Sequence, residues 1–311
     1  MRVFITGASG WIGSAVVPEL IGAGHRILGL ARSDASAAAL LSAGAEVRRG
    51  TIDDLDVLHA GAAESDGVIH LAFKHDIAFS GGFEDAAAAD RRAIDTFGDA
   101  LAGSDRPFLI ASGTLGLAPG RVATELDGQP SDPVDAQLTG GPARRLANAH
   151  ATIALADRGV RSSVVRLPPT VHGDGDNGFI AAVVATARAK GVSGYIGDGT
   201  NRWPAVHRSD AARLFRLALE SAPAGSTLHA AAEDGVPIRA VAEVIGRHLG
   251  LAVASVSTDD ATEHFSWLGG FLGLDSPVSS VRTRELLDWQ PSGPGLVDDL
   301  DLGHYFATAA G

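Results

Sequence analysis

The stretch Val3-Phe4-Ile5-Thr6-Gly7-Ala8-Ser9-Gly10-Trp11-Ile12-Gly13 decides the fold. An apolar strand leads into a turn with three glycines, and the pattern that follows is that of an amphipathic helix. The G-x-x-G-x-x-G spacing is a variant of the dinucleotide fingerprint, whose glycines allow a tight turn, close approach of a pyrophosphate and helix-strand packing. The helix N-terminus would meet the phosphates with free N–H groups. A glycine turn that binds nothing is the alternative. The predicted cofactor contacts in this turn are Gly7, Ser9, Gly10, Trp11, Ile12 and Gly13.

This opening resembles the T-G-x-x-G-x-x-G segment of the extended and atypical short-chain dehydrogenases/reductases, which include nucleotide-sugar epimerases and dehydratases. The resemblance covers most of the chain. It implies an α/β fold, with a doubly wound parallel Rossmann sheet and a smaller C-terminal substrate lobe. Residues 1–170 are then the Rossmann domain that binds the dinucleotide. Residues 171–311 are mainly the lobe, with some strands and helices returning to the Rossmann core.

Composition excludes several classes of function. The chain has 311 residues, of which 45% are apolar, so it can bury a sizeable core. It has no cysteine, which rules out disulfides and suits a reducing cytoplasm. A net charge of −12 disfavours nucleic acid as a partner. Neither a leader nor an apolar run of the roughly 18 residues that span a membrane is visible. The histidines lack metal-ligand spacing. We expect a cytoplasmic protein with a small-molecule substrate, no membrane partner and no metal.

The end of the second predicted strand indicates which cofactor is used. An acidic residue is expected about 20 residues beyond the glycines, where it would bond the ribose 2′-hydroxyl. The chain has Ala31 there, followed by Arg32 and Ser33. A guanidinium and a hydroxyl suit a 2′-phosphate, so the sequence favours NADP(H) over NAD(H). Asp34 is predicted to cap the following helix. The alternative is that Arg32 is an ordinary surface charge.

Two further turns carry cofactor contacts that only the resemblance implies. Gly50-Thr51-Ile52-Asp53 is similar to a G-D-(L/I) turn beside the adenine, with Thr51 in place of the acid. Ile52 would pack on the ring, and Asp53 would either bond the base or cap the next helix. The fourth strand, predicted over residues 68–73, ends like the family's H-L-A-A turn. This end implies contacts from Leu71, Ala72 and Phe73, and from Lys74 unless that lysine is solvated.

A long helix is predicted over residues 83–101, with Asp85, Asp90, Arg91 and Arg92 on its solvated face. The resemblance implies that this helix forms the contact of a homodimer. His70, within an apolar run, is interpreted as a hydrogen-bonded core residue.

The fifth predicted strand leads to the candidate catalytic hydroxyls. The resemblance implies a Ser or Thr just past this strand that bonds the substrate oxygen. Gly113 occupies the matching place, and Ser112 and Thr114 flank it, so either one carries the role or both serve the turn. Ala111, at the same strand end, is implied to line the cofactor site.

The main departure from the family is the loss of its Tyr-x-x-x-Lys dyad. Counting back from the end of the next helix puts Gly141 at the tyrosine and Arg145 at the lysine, and the only tyrosines are Tyr195 and Tyr305. Arg144 or Arg145 would hold a ribose or a substrate acid. A guanidinium stays charged at neutral pH and is therefore a poor general acid or base.

The segment after the sixth strand, Pro168-Pro169-Thr170-Val171-His172-Gly173, resembles the R-P-x-x-V-Y-G-P-G segment that lines the nicotinamide. It implies cofactor contacts from Pro168 and Thr170. His172 would either donate a proton or form a hydrogen bond within the turn. Residues 119–142 are predicted to be a long loop, which is either a lid over the substrate or disordered.

These observations predict an NADP(H)-dependent oxidoreductase of the atypical short-chain type that acts on a carbonyl/alcohol pair or an activated double bond. Its proton would come from Ser112, Thr114, His172, water or the substrate. One alternative is a nucleotide-sugar epimerase or dehydratase, which loss of the dyad disfavours. Another is a non-catalytic NADP-binding sensor or regulatory protein, which the same loss favours.

Overall fold

The central sheet of the protein is parallel and seven-stranded. The computed structural model describes residues 1–118, 120–129 and 140–307. The strands of this sheet are β1 (Arg2–Thr6), β2 (Arg26–Ala31), β3 (Glu46–Arg49), β4 (Gly67–His70), β5 (Pro107–Gly113), β6 (Arg161–Leu167) and β10 (Ser226–His229). They run in the order β10-β6-β5-β4-β1-β2-β3. The order reverses between β1 and β4, and such a switch point opens a crevice at the carboxyl ends of the strands.

Helices cover both faces of this sheet. They are α1 (Gly13–Gly22), α2 (Asp34–Ser42), α3 (Leu55–Ala63), α4 (His75–Ile77), α5 (Phe83–Leu101), α6 (Gly140–Ala154) and α8 (Arg208–Ser221). Residues of α1, α2 and α8 form one apolar core with the sheet, while α3, α5 and α6 form the other. The doubly wound Rossmann fold that the sequence predicts is therefore confirmed.

Most of the remaining elements form a smaller lobe around the buried Trp203. Its strands β7 (Thr170–His172), β9 (Arg202–His207) and β11 (Glu233–Pro237) make a three-stranded sheet, and β8 (Val192–Ile196) pairs in parallel with β12 (Ala252–Val256). Its helices are α7 (Phe179–Lys190), α9 (Ile238–Leu249), α10 (Ala261–Phe265), α11 (Gly269–Leu272) and α13 (Leu296–Asp301), whereas α12 (Val281–Leu287) packs against α8 and β10 of the Rossmann layers. Because β10 and α8 lie beyond residue 170 yet belong to the Rossmann layers, the chain leaves that fold and returns to it.

The end of β4 and the segment over residues 119–142 differ from the sequence-based expectations. β4 ends at His70 and not at residue 73, because the chain turns away toward α4 although its apolar run continues. Of the predicted loop over 119–142, residues 120–129 form turns in which Ala123 bridges to Val278, and α6 has already begun at Gly140. Residues 119 and 130–139 of this predicted loop lie outside the described part, and its role as a lid stays a prediction. Within the described ranges, we find no helix that has both the length and the apolar character of a membrane span.

Candidate active site

In the turn between β1 and α1, the first and third glycines have no room for a side chain. Gly7 has φ +68°, and a Cβ there would lie 2.7 Å from the backbone N of Ala72. A Cβ on Gly13 would lie 2.2 Å from the carbonyl oxygen of Gly7, and the N–H of Gly10 donates to that same oxygen at 3.0 Å. The turn thus brings bare backbone to the start of a ten-residue helix at the switch point, where a pyrophosphate fits.

The Trp11 side chain joins this turn to the lobe. Its indole N–H donates to the carbonyl oxygen of Val171 at 2.9 Å, and the guanidinium carbon of Arg208 lies 4.1 Å from its ring centroid. Arg208 also donates to the hydroxyl of Ser14 at 3.1 Å. The side chain of Trp11 is therefore engaged, and its backbone N–H is the group left to meet a phosphate.

Ser33, and not Asp34, caps α2. The Ser33 hydroxyl accepts a hydrogen bond from the backbone N–H of Ser36 at 3.1 Å, and its backbone is extended at φ −138°. The prediction for Asp34 was wrong because Asp34 is the first helical residue, where its carboxylate pairs with Arg49. Arg32, at the end of β2, is exposed and has no ion-pair partner among the residues that the structure describes. It is thus available to an incoming phosphate.

In the turn after β3, Asp53 pairs with Lys74. Lys74 Nζ donates to both carboxylate oxygens of Asp53, at 2.9 and 2.7 Å. The N-cap position of α3 belongs to Asp54, so the alternative that Asp53 caps this helix is wrong. Ile52 is buried, with 7% of its surface exposed. The cofactor contacts assigned to Ile52, Asp53 and Lys74 stay predictions, and a phosphate near Lys74 would compete with Asp53.

A buried polar network lies beneath the crevice. The hydroxyl of Thr6 and Nδ1 of His70 are 2.6 Å apart, and Nε2 of His70 is 3.1 Å from Asp90 Oδ1. The side-chain amide of Asn148 donates to Asp90 Oδ2 at 2.7 Å. His70 is therefore a hydrogen-bonded core residue, as interpreted, but the prediction that Asp90 faces solvent was wrong. Burial works to raise the pKa of Asp90, but the hydrogen bonds from His70 and Asn148 and the nearby charge of Arg145 together outweigh it, so the pKa lies below its ordinary value.

This network fixes α6 against α5 and so positions Arg145, one turn before Asn148. The guanidinium carbon of Arg145 lies 4.0 Å from the centroid of the Phe73 ring. Its N–H donates to the carbonyl oxygen of Ala111 at 3.4 Å. Arg145 therefore brings a positive charge to the carboxyl ends of β4 and β5, next to two residues that were predicted to line the cofactor site.

His75 belongs to the same edge, although the sequence analysis did not select it. Its ring centroid lies 5.0 Å from that of Phe73 in an edge-to-face contact. His75 is exposed, yet desolvation by its neighbours, and then the nearby charge of Arg145, lower the pKa of its imidazole. The only signal in the sequence was its position just past the strand end, five residues after His70.

Thr114 holds a hydroxyl that the described residues leave without a hydrogen bond. The residue has no exposed surface, and its backbone N–H donates to the carbonyl oxygen of Leu167 at 3.1 Å. A buried hydroxyl without a partner costs about 1–3 kcal/mol, and a water or ligand that bonds it would remove that cost. Ser112 is also buried, at 8% exposed. The catalytic roles of Ser112 and Thr114 stay predictions.

His172 lies in the lobe without exposed surface. Its Nδ1 is 2.8 Å from Asp299 Oδ2, and His304 Nε2 is 3.1 Å from the other oxygen of the same carboxylate. Thr170, predicted to touch the cofactor, donates its hydroxyl to the carbonyl oxygen of Pro204. Pro168 is buried at the start of this segment. The cofactor contacts of Pro168 and Thr170 and the proton transfer by His172 stay predictions.

Comparison with known proteins assigns the chain to a family. The model described as the NAD dependent epimerase/dehydratase family matches residues 3–231. The chain belongs to this family. An uncharacterised protein of Schizosaccharomyces pombe is 46% identical over 98% of this chain and 100% of its own length. A 4-hydroxy-2-methyl-3-oxo-4-farnesyl-3,4-dihydroquinoline-1-oxide ketoreductase of Stigmatella aurantiaca is 25% identical over 76% of this chain and 70% of its own. The crystal structure of a UDP-glucose 4-epimerase from Thermotoga maritima shares the fold, with a TM-score of 0.75, 18% identity and 98% of each chain covered.

Within this epimerase/dehydratase fold, neither tyrosine of the chain lies on α6. Tyr195 is in β8, and the Tyr305 hydroxyl donates to Asp176 at 2.8 Å while it accepts the N–H of Gly173 at 3.3 Å. In the described part of the chain, no group of three His, Cys, Asp or Glu side chains could hold a metal ion. Among the described residues, Arg145 and His75 both contact Phe73 just beyond β4, and Thr114 directly follows β5.

The buried pair of His172 and Asp299 predicts acid sensitivity. Burial works to raise the pKa of Asp299, but hydrogen bonds with His172 and His304 hold it below its ordinary value. A depressed carboxyl pKa contributes stability above the unfolded-state pKa, near 4, that is lost as pH falls through the folded-state pKa. Asp299→Ala is expected to lower the free energy of unfolding at pH 7 by about 3 kcal/mol, because it leaves His172 buried and unpaired. Urea unfolding at pH 7 and pH 3 measures the effect, which should shrink at pH 3.

The matched control for this prediction is Asp298→Ala, one residue earlier on α13 and exposed. It removes only a first-turn carboxylate, which contributes less than about 1 kcal/mol. An equal loss in both variants would mean that the effect belongs to the helix and not to the buried pair.

Proposed function

We propose that this chain is an NADP(H)-dependent oxidoreductase that acts on a small organic carbonyl/alcohol pair or an activated double bond. The observation that carries the proposal is the buried Thr114 hydroxyl, which has no hydrogen-bond partner among the described residues and follows β5 directly, at the carboxyl-end edge of the sheet that also carries the glycine turn after β1. A bound nicotinamide dinucleotide exchanges a hydride with its substrate. Thr114 would hydrogen-bond the substrate oxygen that gains or loses charge in that exchange.

Arg145 would hold the ribose or an acidic substrate group by charge-assisted hydrogen bonds, which its stacking on Phe73 orients. Arg145 occupies the position of the lysine in the family's Tyr-x-x-x-Lys dyad. It does not take over the proton transfer that the dyad performs. His75, whose lowered pKa keeps the imidazole largely neutral at neutral pH, would accept a proton from an alcohol or pass one from solvent. The ketoreductase among the relatives, 25% identical, supports a carbonyl substrate.

The preference for NADP(H) rests on Arg32, exposed at the end of β2 with no carboxylate at Ala31 to repel a phosphate. Arg32→Ala is expected to weaken NADPH binding by roughly 1.5–3 kcal/mol, the range for a hydrogen bond to a charged group, and to leave NADH binding unchanged. Fluorescence titration of the reduced nicotinamide with both nucleotides measures this difference.

The control is Arg26→Ala, at the opposite end of the same strand, where the guanidinium pairs with Glu46. A wild type that binds NADH as tightly as NADPH would contradict the assignment of the cofactor. Turnover is then tested by following NADPH oxidation with a panel of ketones, aldehydes, quinones and enones. Tight NADPH binding without turnover of any compound would favour the sensor alternative.

A nucleotide-sugar epimerase or dehydratase is the second candidate, because the solved structures of similar fold include a UDP-glucose 4-epimerase. In the lobe, two hydrogen bonds join the guanidinium of Arg202 to the carboxylate of Asp275, and Nη2 lies 2.9 Å from Oδ2. The carboxylate of Asp275 therefore already neutralises the charge of Arg202. Asn201 donates to the carbonyl oxygen of Leu272 at 2.7 Å. Calorimetry with UDP-glucose separates the two candidates, since the oxidoreductase proposal expects no binding at micromolar concentrations.

A further inference from the structure

Two guanidinium groups lie near the N-terminus of α2. Arg49 is the last residue of β3, and its Cα is the register partner of Ala31, the residue just before Arg32. The Arg49 side chain pairs with Asp34, which follows Arg32 by two residues. The strand register and this ion pair therefore place the second guanidinium at the same corner of the sheet as Arg32.

The two arginines that end β3 point to opposite faces of the sheet. Arg48 pairs with Glu64, just beyond α3, whereas Arg49 pairs with Asp34 on α2. This alternation is what a β-strand imposes on successive side chains. Only Arg49 therefore reaches the side on which the end of β2 turns into α2.

The partner of Arg49 holds it weakly. The Asp34 side chain is 98% exposed and that of Arg49 51% exposed, and ion pairs this open to solvent contribute at most about 1 kcal/mol. A phosphate dianion is a stronger partner for a guanidinium than one exposed carboxylate. The N-terminus of the nine-residue helix α2 adds a positive dipole end at the same place.

We propose that Arg49 is a second ligand of the cofactor's 2′-phosphate, and that Asp34 keeps its guanidinium beside Arg32 until the phosphate displaces the carboxylate. The proposal rests on the NADP(H) preference proposed above and adds a residue to it. Asp34 then acts against cofactor binding, because its carboxylate competes for Arg49 and repels the phosphate.

The test compares Arg49→Ala, Asp34→Asn and the control Arg48→Ala by fluorescence titration of the full chain with NADPH and NADH. Arg49→Ala is expected to weaken NADPH binding roughly tenfold and to leave NADH binding unchanged. Asp34→Asn is expected to strengthen NADPH binding about twofold to fivefold. Arg48→Ala should change neither affinity, although it removes an arginine from the same strand.

If Arg49→Ala does not fold, Arg49→Lys replaces it in the titrations. Because this variant keeps the positive charge, it should retain most of the NADPH preference. The proposal is overturned if Arg49→Ala weakens both nucleotides equally, if it changes neither, or if Asp34→Asn weakens NADPH binding. If Arg32→Ala loses the preference for NADPH and Arg49→Ala keeps it, the role of Arg49 is refuted and that of Arg32 stands. A wild type without any preference for NADPH would instead refute the cofactor assignment itself.

Discussion

Alanine at position 13 is expected to abolish dinucleotide binding. The added Cβ would lie 2.2 Å from the carbonyl oxygen of Gly7 and 2.6 Å from the Cα of Ala8, and both are backbone atoms of the turn itself. Backbone cannot rotate away as a side chain can, so the turn must open and the N–H groups that would meet the phosphates must move. We expect the affinity for NADPH to fall by at least roughly 100-fold, or about 2.7 kcal/mol.

Gly22→Ala is the matched control for this variant. Gly22 lies at the other end of α1, and a Cβ there would meet no atom within 4 Å. Alanine favours the helix more than glycine does, so this control should bind NADPH like the wild type and unfold at slightly higher temperature. Retained NADPH binding in Gly13→Ala would show that the dinucleotide does not use this turn.

The second large effect is expected from Thr114→Val, which removes the unpaired hydroxyl and keeps the shape of the side chain. If Thr114 donates to the substrate oxygen, kcat should fall about 10²–10³-fold, the range for losing one such donor. The Kd for NADPH should stay unchanged, because the hydroxyl serves the substrate. The measurement is NADPH oxidation with the carbonyl compound that the wild type reduces fastest.

Two further variants decide which hydroxyl acts. Thr114→Ser keeps the donor and should retain most of the rate, whereas Ser112→Ala should have little effect. The reverse pattern, with a large loss in Ser112→Ala only, would assign the role to Ser112. Because the Thr114 hydroxyl is buried without a bond, Thr114→Val should also leave the stability equal or slightly higher.

Local patterns predicted most of the fold. The glycine spacing, the apolar strands and the amphipathic faces of the helices each depend on neighbours in sequence, and they located the doubly wound sheet. The bounds of α5, Phe83–Leu101, agree with the prediction because its apolar face repeats at helical spacing throughout. The end of β4 was missed because an apolar run does not record where the chain turns.

The candidate site was harder to predict, since its residues are paired across the fold. Asp90 is an acid among other charged residues on α5, and only its bonds to His70 and Asn148 reveal that it is buried. A signal was present: Asp90 falls four residues after Ala86 and four before Ile94, on the apolar face. Arg145 gave no such signal, because its contact with Phe73 joins residues 72 positions apart.

The position of β10 has a consequence for synthesis of the chain. β6 pairs with β5 on one side and with β10 on the other, and β10 follows β6 by about 60 residues. At translation rates of about 5–20 residues per second, those residues take roughly 3–12 seconds to emerge from the ribosome. During that interval β6 is an open sheet edge, which is the kind of surface that chaperones cover and that other chains can pair with. Because β6 completes its pairing only when β10 has been made, the parts of the chain before and after residue 170 are not two units that fold one after the other.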